Sequence, residues 1–282
     1  MLRIYCSHSI KMCLCLLGLS VLTARAQETN SGRFTAAYLR DSSALVAVGD
    51  APQSASSDLI INNFITAETK FRETLAQFSF KRDVILQTIG CHGEVTGEYV
   101  RNSVFVLDDQ GQLIERVLYH PKPTIKEMTI TKEDIQDLAG SQLFGLTELN
   151  SYNFSYLGEE DLNGRATYVI GVGPKQEPDP CHMRSRSFIG RIWIDPVSFQ
   201  PIELRGITEP HGKQRFPLFV TTRNLAVENL FFPSTTFADD VLHFPHKSVH
   251  YRINVRYYDF KRFASRVKIV EIEDQVEPTF LD

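Results

Sequence analysis

From Ile60 onward the apolar residues recur at helical spacing. Ile60, Phe64, Ala67, Phe71, Leu75 and Phe78 follow one another by four, three, four, four and three positions, while Lys70, Arg72 and Glu73 take the other side. Such a stripe predicts an amphipathic helix of roughly five turns over 58–78, with Asp58 placed as its N-cap. The period then changes to two. Phe80, Arg82, Val84, Leu86 and Thr88 alternate with Lys81, Asp83 and Gln87, the pattern of a long half-buried strand. Ten further strands are predicted over 99–107, 112–119, 152–158, 166–172, 188–195, 202–208, 218–227, 234–242, 249–258 and 266–272. Turn signals separate them: Gly90-Cys-His-Gly93, Asp108-Asp-Gln-Gly111, and above all Asn163-Gly164. The strand over 249–258 alternates without a break, with Val249, Tyr251, Ile253, Val255 and Tyr257 on one face and His250, Arg252, Asn254 and Arg256 on the other. A short helix with a capping box is expected from Thr131, with Asp134 at its third position.

Eleven strands in meander order and one main helix, without βαβ alternation, define an α+β fold that is mostly β: an antiparallel sheet with a helix packed on it. Laid flat, such a sheet would be about 50 Å wide, far more than one helix can cover. The sheet must therefore curve and partly close on itself. The chain has 19 phenylalanines, 10 tyrosines and 1 tryptophan, several of them at every other position of a strand. A curved sheet so lined encloses either a filled core or a cavity suited to a hydrophobic ligand.

The start of the chain changes this picture. Arg3 and Lys11 precede a 13-residue apolar run, 12–24, and Ala24-Arg25-Ala26 is an A-x-A site before Gln27. Residues 1–26 therefore read as a secretory signal peptide cleaved after Ala26, too short for the span of about 20 residues that a membrane helix needs. No later run approaches that length, so an integral membrane protein is not expected. Residues 27–57, rich in Ala, Ser and Asp, have the composition of a poorly ordered leader, leaving 58–282 as the folded domain. Losing Arg3, Lys11 and Arg25 leaves 27 basic residues against 34 acidic ones, a net charge of −7. That balance argues against nucleic acid or anionic lipid surfaces as partners. Cleavage also removes Cys6, Cys13 and Cys15, so Cys91 and Cys181 remain as a disulfide candidate in an oxidising compartment. Closing a loop of about 90 residues would contribute roughly 4–5 kcal/mol.

Little in the sequence suggests chemistry. Cys91-His92 and Cys181-His182 are chemically suited to zinc, yet neither pair has the spacing that lets one turn supply two ligands. His243, His246 and His250 straddle Pro245 and cannot share a helix turn. The paired acids Asp108-Asp109 and Glu159-Glu160-Asp161 accompany hairpin turns, where acids are solvated. Asp239 and Asp240 lie inside a strand and point to opposite faces, so one of them is a candidate buried, paired acid. With no P-loop, G-x-S-x-G, G-x-G-x-x-G or H-E-x-x-H motif, no enzyme activity, metal or cofactor is expected.

The strand wording itself carries a resemblance. Tyr152-Asn-Phe-Ser-Tyr-Leu-Gly158, Leu162-Asn-Gly-Arg165, Tyr168-Val-Ile-Gly-Val172, Pro174-Lys175, Gly190-Arg-Ile-Trp-Ile-Asp195 and Phe199-Gln-Pro-Ile-Glu203 resemble the LolA-like outer-membrane lipoprotein-sorting proteins. The likeness spans roughly 58–272. It implies an incomplete barrel capped by helices, a periplasmic location, and a hydrophobic partner such as a lipid or a lipidated protein. The cavity lining and lid it implies here are Phe64, Phe71, Leu75, Phe80, Val84, Leu86, Trp193, Tyr251, Ile253, Val255 and Tyr257. The chain departs from the small carriers in its leader, its long 176–186 loop and its extra strands from Phe216 onward.

Overall fold

The structure, a computed structural model, describes residues 55–108, 110, 112–127, 130, 149–176, 187–209, 217–244 and 246–263. The signal peptide, most of the leader, the helix expected from Thr131, the Cys181 loop and the strand expected over 266–272 lie outside the described residues.

One helix, α1 (Ala55–Leu75), precedes ten strands: β1 (Phe78–Ile89), β2 (Val95–Leu107), β3 (Leu113–Tyr119), β4 (Tyr152–Leu162), β5 (Arg165–Pro174), β6 (Ser187–Ile194), β7 (Pro201–Glu209), β8 (Phe219–Val227), β9 (Leu230–Phe244) and β10 (Lys247–Arg262). These match the first ten predicted strands one for one. α1 begins three residues before Asp58, which thus stands in the first turn rather than at the N-cap. A carboxylate there still meets the positive end of the helix dipole. At the other end Ala76 N–H donates to Arg72 O and Gln77 N–H to Thr74 O, closing the helix. Phe78 then opposes Arg262 of β10 as the first strand residue, not the last helical one.

All strands form one antiparallel sheet in the order β3-β2-β1-β10-β9-β8-β7-β6-β5-β4. Each neighbouring pair but one is consecutive in sequence; the exception is β1 with β10. The sheet stays open, because β3 and β4 are its two edges. Two tight hairpins keep their turn residues at positive φ. Asn163 (57°) and Gly164 (84°) join β4 to β5, as Asn-Gly predicts. Glu228 (50°) and Asn229 (64°) join β8 to β9, so β9 starts at Leu230, before the expected Ser234. Pro233 is accommodated there by a register shift opposite Arg223–Leu225.

Curvature follows from what the helix touches. Phe64 meets Phe154 of the edge strand β4 at 5.5 Å between ring centroids, and Phe71 meets Phe232 of β9 at 5.4 Å. β4 and β9 are five strands apart, about 24 Å in a flat sheet, and a helix about 10 Å wide reaches both only if the sheet wraps around it. The main core accordingly joins α1 to inward residues from β1, β2 and β4–β10.

Candidate functional site

The concave face is written in aligned rows. One row crosses nine strands: Tyr156, Ile170, Ile192, Leu204, Thr221, Thr236, Val255, Val84 and Arg101. A second passes through Phe154, Val172, Gly190, Gly206, Phe219, Ala238, Ile253, Leu86 and Tyr99. Gly190 and Gly206 face each other because the Phe188 ring lies over both. A Cβ on Gly190 would sit 2.8 Å from that ring and one on Gly206 2.4 Å from it.

Ten of the eleven residues expected to line the interior belong to this core: Phe64, Phe71, Leu75, Phe80, Val84, Leu86, Tyr251, Ile253, Val255 and Tyr257, all buried. Phe64 and Leu75 are 0 % exposed and Phe71 1 %, so the helix face seats fully in the concavity. Burial pushes the phenols of Tyr251 and Tyr257 up to about 12, which keeps both neutral.

Trp193 lies elsewhere. Ile192 and Ile194 point into the main core, so the residue between them points to the convex face, where Trp193 packs with Leu162, Val169, Ile202 and Phe231. Its indole N–H donates to Glu160 Oε2 (2.9 Å), and the Arg205 guanidinium covers its ring at 4.6 Å. The neighbouring Asp195 shapes a turn: its Oδ1 accepts the N–H groups of Val197 and Ser198 (3.0 and 2.7 Å). Arg165 closes on its other oxygen. Trp193 and Asp195 thus brace the outer wall of β4–β7.

The interior also holds two buried ion groups that the apolar pattern did not reveal. On α1, Glu68 (1 % exposed) receives Arg223 Nη1 and Nη2 of β8 at 2.7 and 2.9 Å, and the same guanidinium lies 4.3 Å over the Phe71 ring. Thr221 and Thr236 share a hydrogen bond of 2.8 Å on the same face. On β1–β3, Glu115 accepts from Arg82 Nη2 (2.8 Å), Arg101 Nε and Nη2 (3.0 and 2.8 Å) and the Ser103 hydroxyl (2.6 Å). Burial alone would raise the Glu115 carboxyl. The donors on Arg101 and Ser103, with the charges of Arg82 and Arg101, outweigh it and hold the group at about 2. Arg82 is shifted downward, first by burial, with Tyr257 and Glu115 opposing. A signal for both groups exists in the sequence. Arg82 stands at an inward position of its strand, and Glu68, four after Phe64 and three before Phe71, occupies the stripe more closely than the half-buried Ala67.

Other candidates have polar partners of their own. Asp239 binds His250 and Arg252 on the convex face, and Asp240 Oδ2 accepts Leu218 N–H at 3.3 Å. His243 Nδ1 sits 2.8 Å from the Ser248 hydroxyl. Cys91 is an exposed free cysteine in the β1–β2 turn, and its candidate partner lies outside the described residues. Among the described residues no helix is long and apolar enough to cross a membrane.

Similarity to solved structures is low both in sequence identity and in TM-score. A DUF1329 family protein from Desulfovibrio piger is 12% identical over 73% of this chain and 94% of its own, with a TM-score of 0.35. An outer membrane lipoprotein-sorting protein domain from Vibrio parahaemolyticus is 9% identical over 76% and 94%, with a TM-score of 0.37. For a LolA superfamily protein from Nitrosomonas europaea the values are 13%, 72%, 96% and 0.34. No family model matches the chain, and no curated protein matches it in sequence.

Proposed function

We propose that the protein is a periplasmic, non-enzymatic carrier that holds an acyl chain or a lipidated segment against the concave face of the sheet, with α1 as its cover. The observation that carries this reading is the division of the core. One helix supplies Ile60, Ile61, Phe64, Phe71 and Leu75, and an open sheet supplies the rest. Withdrawing five such side chains costs roughly 8–15 kcal/mol at 1.5–3 kcal/mol each. An acyl chain of about fifteen methylenes, at about 0.8 kcal/mol each, returns roughly 12 kcal/mol. Helix and ligand are therefore near-equal occupants of one trough, which reversible loading requires.

The full burial of Phe64, Phe71 and Leu75 also favours a second reading, an envelope protein whose barrel is permanently filled. Loading and filling separate in one set of measurements on the natively purified protein. A carrier yields extractable lipid, binds a fluorescent acyl probe and shows α1 among the faster elements in hydrogen exchange. Phe71→Ala then weakens the probe by more than it weakens the fold. Repeatedly empty preparations with no probe binding, and α1 as slow to exchange as the sheet, would leave the filled barrel.

A further inference from the structure

Both ion groups of the interior gather two guanidiniums around one carboxylate, and they differ in how the second base meets water. Glu68 receives Arg223 in a two-pronged pair, and Arg72 stands 4.0 Å from the same carboxylate with 19 % of its side chain exposed. Around Glu115 there are two guanidiniums for one carboxylate. The side chains of Arg82, Arg101 and Glu115 are 4 %, 10 % and 9 % exposed, so the surplus positive charge is held away from water. A buried charge without a counter-charge is expensive.

Arg82 is the under-used member. A guanidinium has five N–H donors, and among the described residues Arg82 Nε, like Arg223 Nε, is buried without a hydrogen-bond partner. The Arg82 Cζ lies 4.6 Å over the Phe105 ring centre, so the ring covers one face of the guanidinium and a further acceptor would have to meet its edge. Apolar surface adjoins it, since Phe105 stacks on Phe80 at 4.6 Å and Phe80 on Phe260 at 5.3 Å. Glu115 stands on β3, an edge strand of the sheet among the described residues.

We infer that Arg82 and Arg101 form a receptor for one anionic headgroup, a carboxylate or a phosphate ester, on the ligand whose chain lies along Phe80, Phe105 and Phe260. This rests on the carrier reading and narrows it to anionic amphiphiles. The headgroup supplies the missing negative charge, and Glu115 orients the two guanidiniums without neutralising both.

The probes are a fluorescent polyene fatty acid, its methyl ester and an alkyl phosphate of equal length. The wild type should bind the acid about tenfold tighter than the ester, as expected for one charge-assisted pair. Arg82→Met should close the gap, bringing the acid's affinity down to about the ester's in the same variant. Glu115→Gln, which removes the competing carboxylate, should widen the acid's advantage. Phosphate tighter than acid, or the reverse, supports the site and names its headgroup. Equal binding of acid and ester by the wild type overturns the headgroup site and leaves the carrier reading standing, whereas binding of neither overturns both. If Arg82→Met does not fold, the wild-type ratio and Glu115→Gln still decide.

Discussion

Glu68–Arg223 and Arg82–Glu115–Arg101 share an interior and a chemistry, and they are placed for different work. The first spans two layers. Its acid is on α1 and its base on β8, so it fixes the rotation of the helix at the point where Phe71 enters the core. The second lies within the sheet, with one member on each of β1, β2 and β3. The surplus base of the first group, Arg72, keeps 19 % of its side chain in water, whereas both guanidiniums of the second are 10 % exposed or less. A group beside a sheet edge can hold such a charge for something that arrives later. Buried ionic groups in one core are thus better compared by where the surplus charge sits than by the number of their pairs.

Breaking the contact between the helix and the sheet should have the largest effect. Glu68→Ala leaves Arg223 buried beside Phe71 and should destabilise the fold by about 3–5 kcal/mol. Replacing Glu68 and Arg223 together by methionine should recover most of that, since the charge and its burial cost leave together. Urea denaturation of the three proteins checks both statements.

The Glu115 group should show itself through pH. Glu115 titrates at about 2 in the fold against an ordinary 4.5. Its stabilisation is therefore fully present above about pH 4.5 and lost as pH falls through 2, on the order of 3 kcal/mol in all. Urea midpoints followed from pH 6 to pH 2 should fall less steeply in Glu115→Gln than in the wild type. An equal slope would show that the group does not carry this stability. The smallest effect belongs to the convex face, where Arg256, 62 % exposed, pairs with Asp83 at 2.8 Å. Arg256→Ala should cost less than about 1 kcal/mol, which thermal melting at low and high salt would register.

The sheet was largely readable from the sequence because strand burial has a period of two and few exceptions. Every second residue of β10 from Val249 to Tyr257 is buried as the pattern requires, and Asn163-Gly164 turns where a type I′ hairpin favours those residues. The Glu228–Asn229 hairpin was missed for the converse reason. Glutamate has no preference for positive φ, and its turn is imposed by the pairing of β8 with β9. Trp193, expected in the lining from the family resemblance, has the opposite parity, since its neighbours Ile192 and Ile194 are the inward pair. Glu68 escaped notice because a charged residue on an apolar stripe is ordinarily solvated. Its burial depends on Arg223, 155 positions later in the chain, and no local pattern reports such a partner.

The strand order also dictates how the molecule can be assembled. As the chain leaves the ribosome, nearly every strand finds its neighbour one hairpin later, but one side of β1 does not. Its partner is β10, and Ser79 meets Lys261 only after 182 further positions. Until then an early-made strand presents unpaired N–H and C=O groups along one side, the kind of edge that recruits other chains. Because the seam joins the two ends of the described fold, with Phe263 N–H donating to Gln77 O at 2.9 Å, every non-local pairing is concentrated in one step. The rest of the sheet can form early, and the closing of this seam sets the pace.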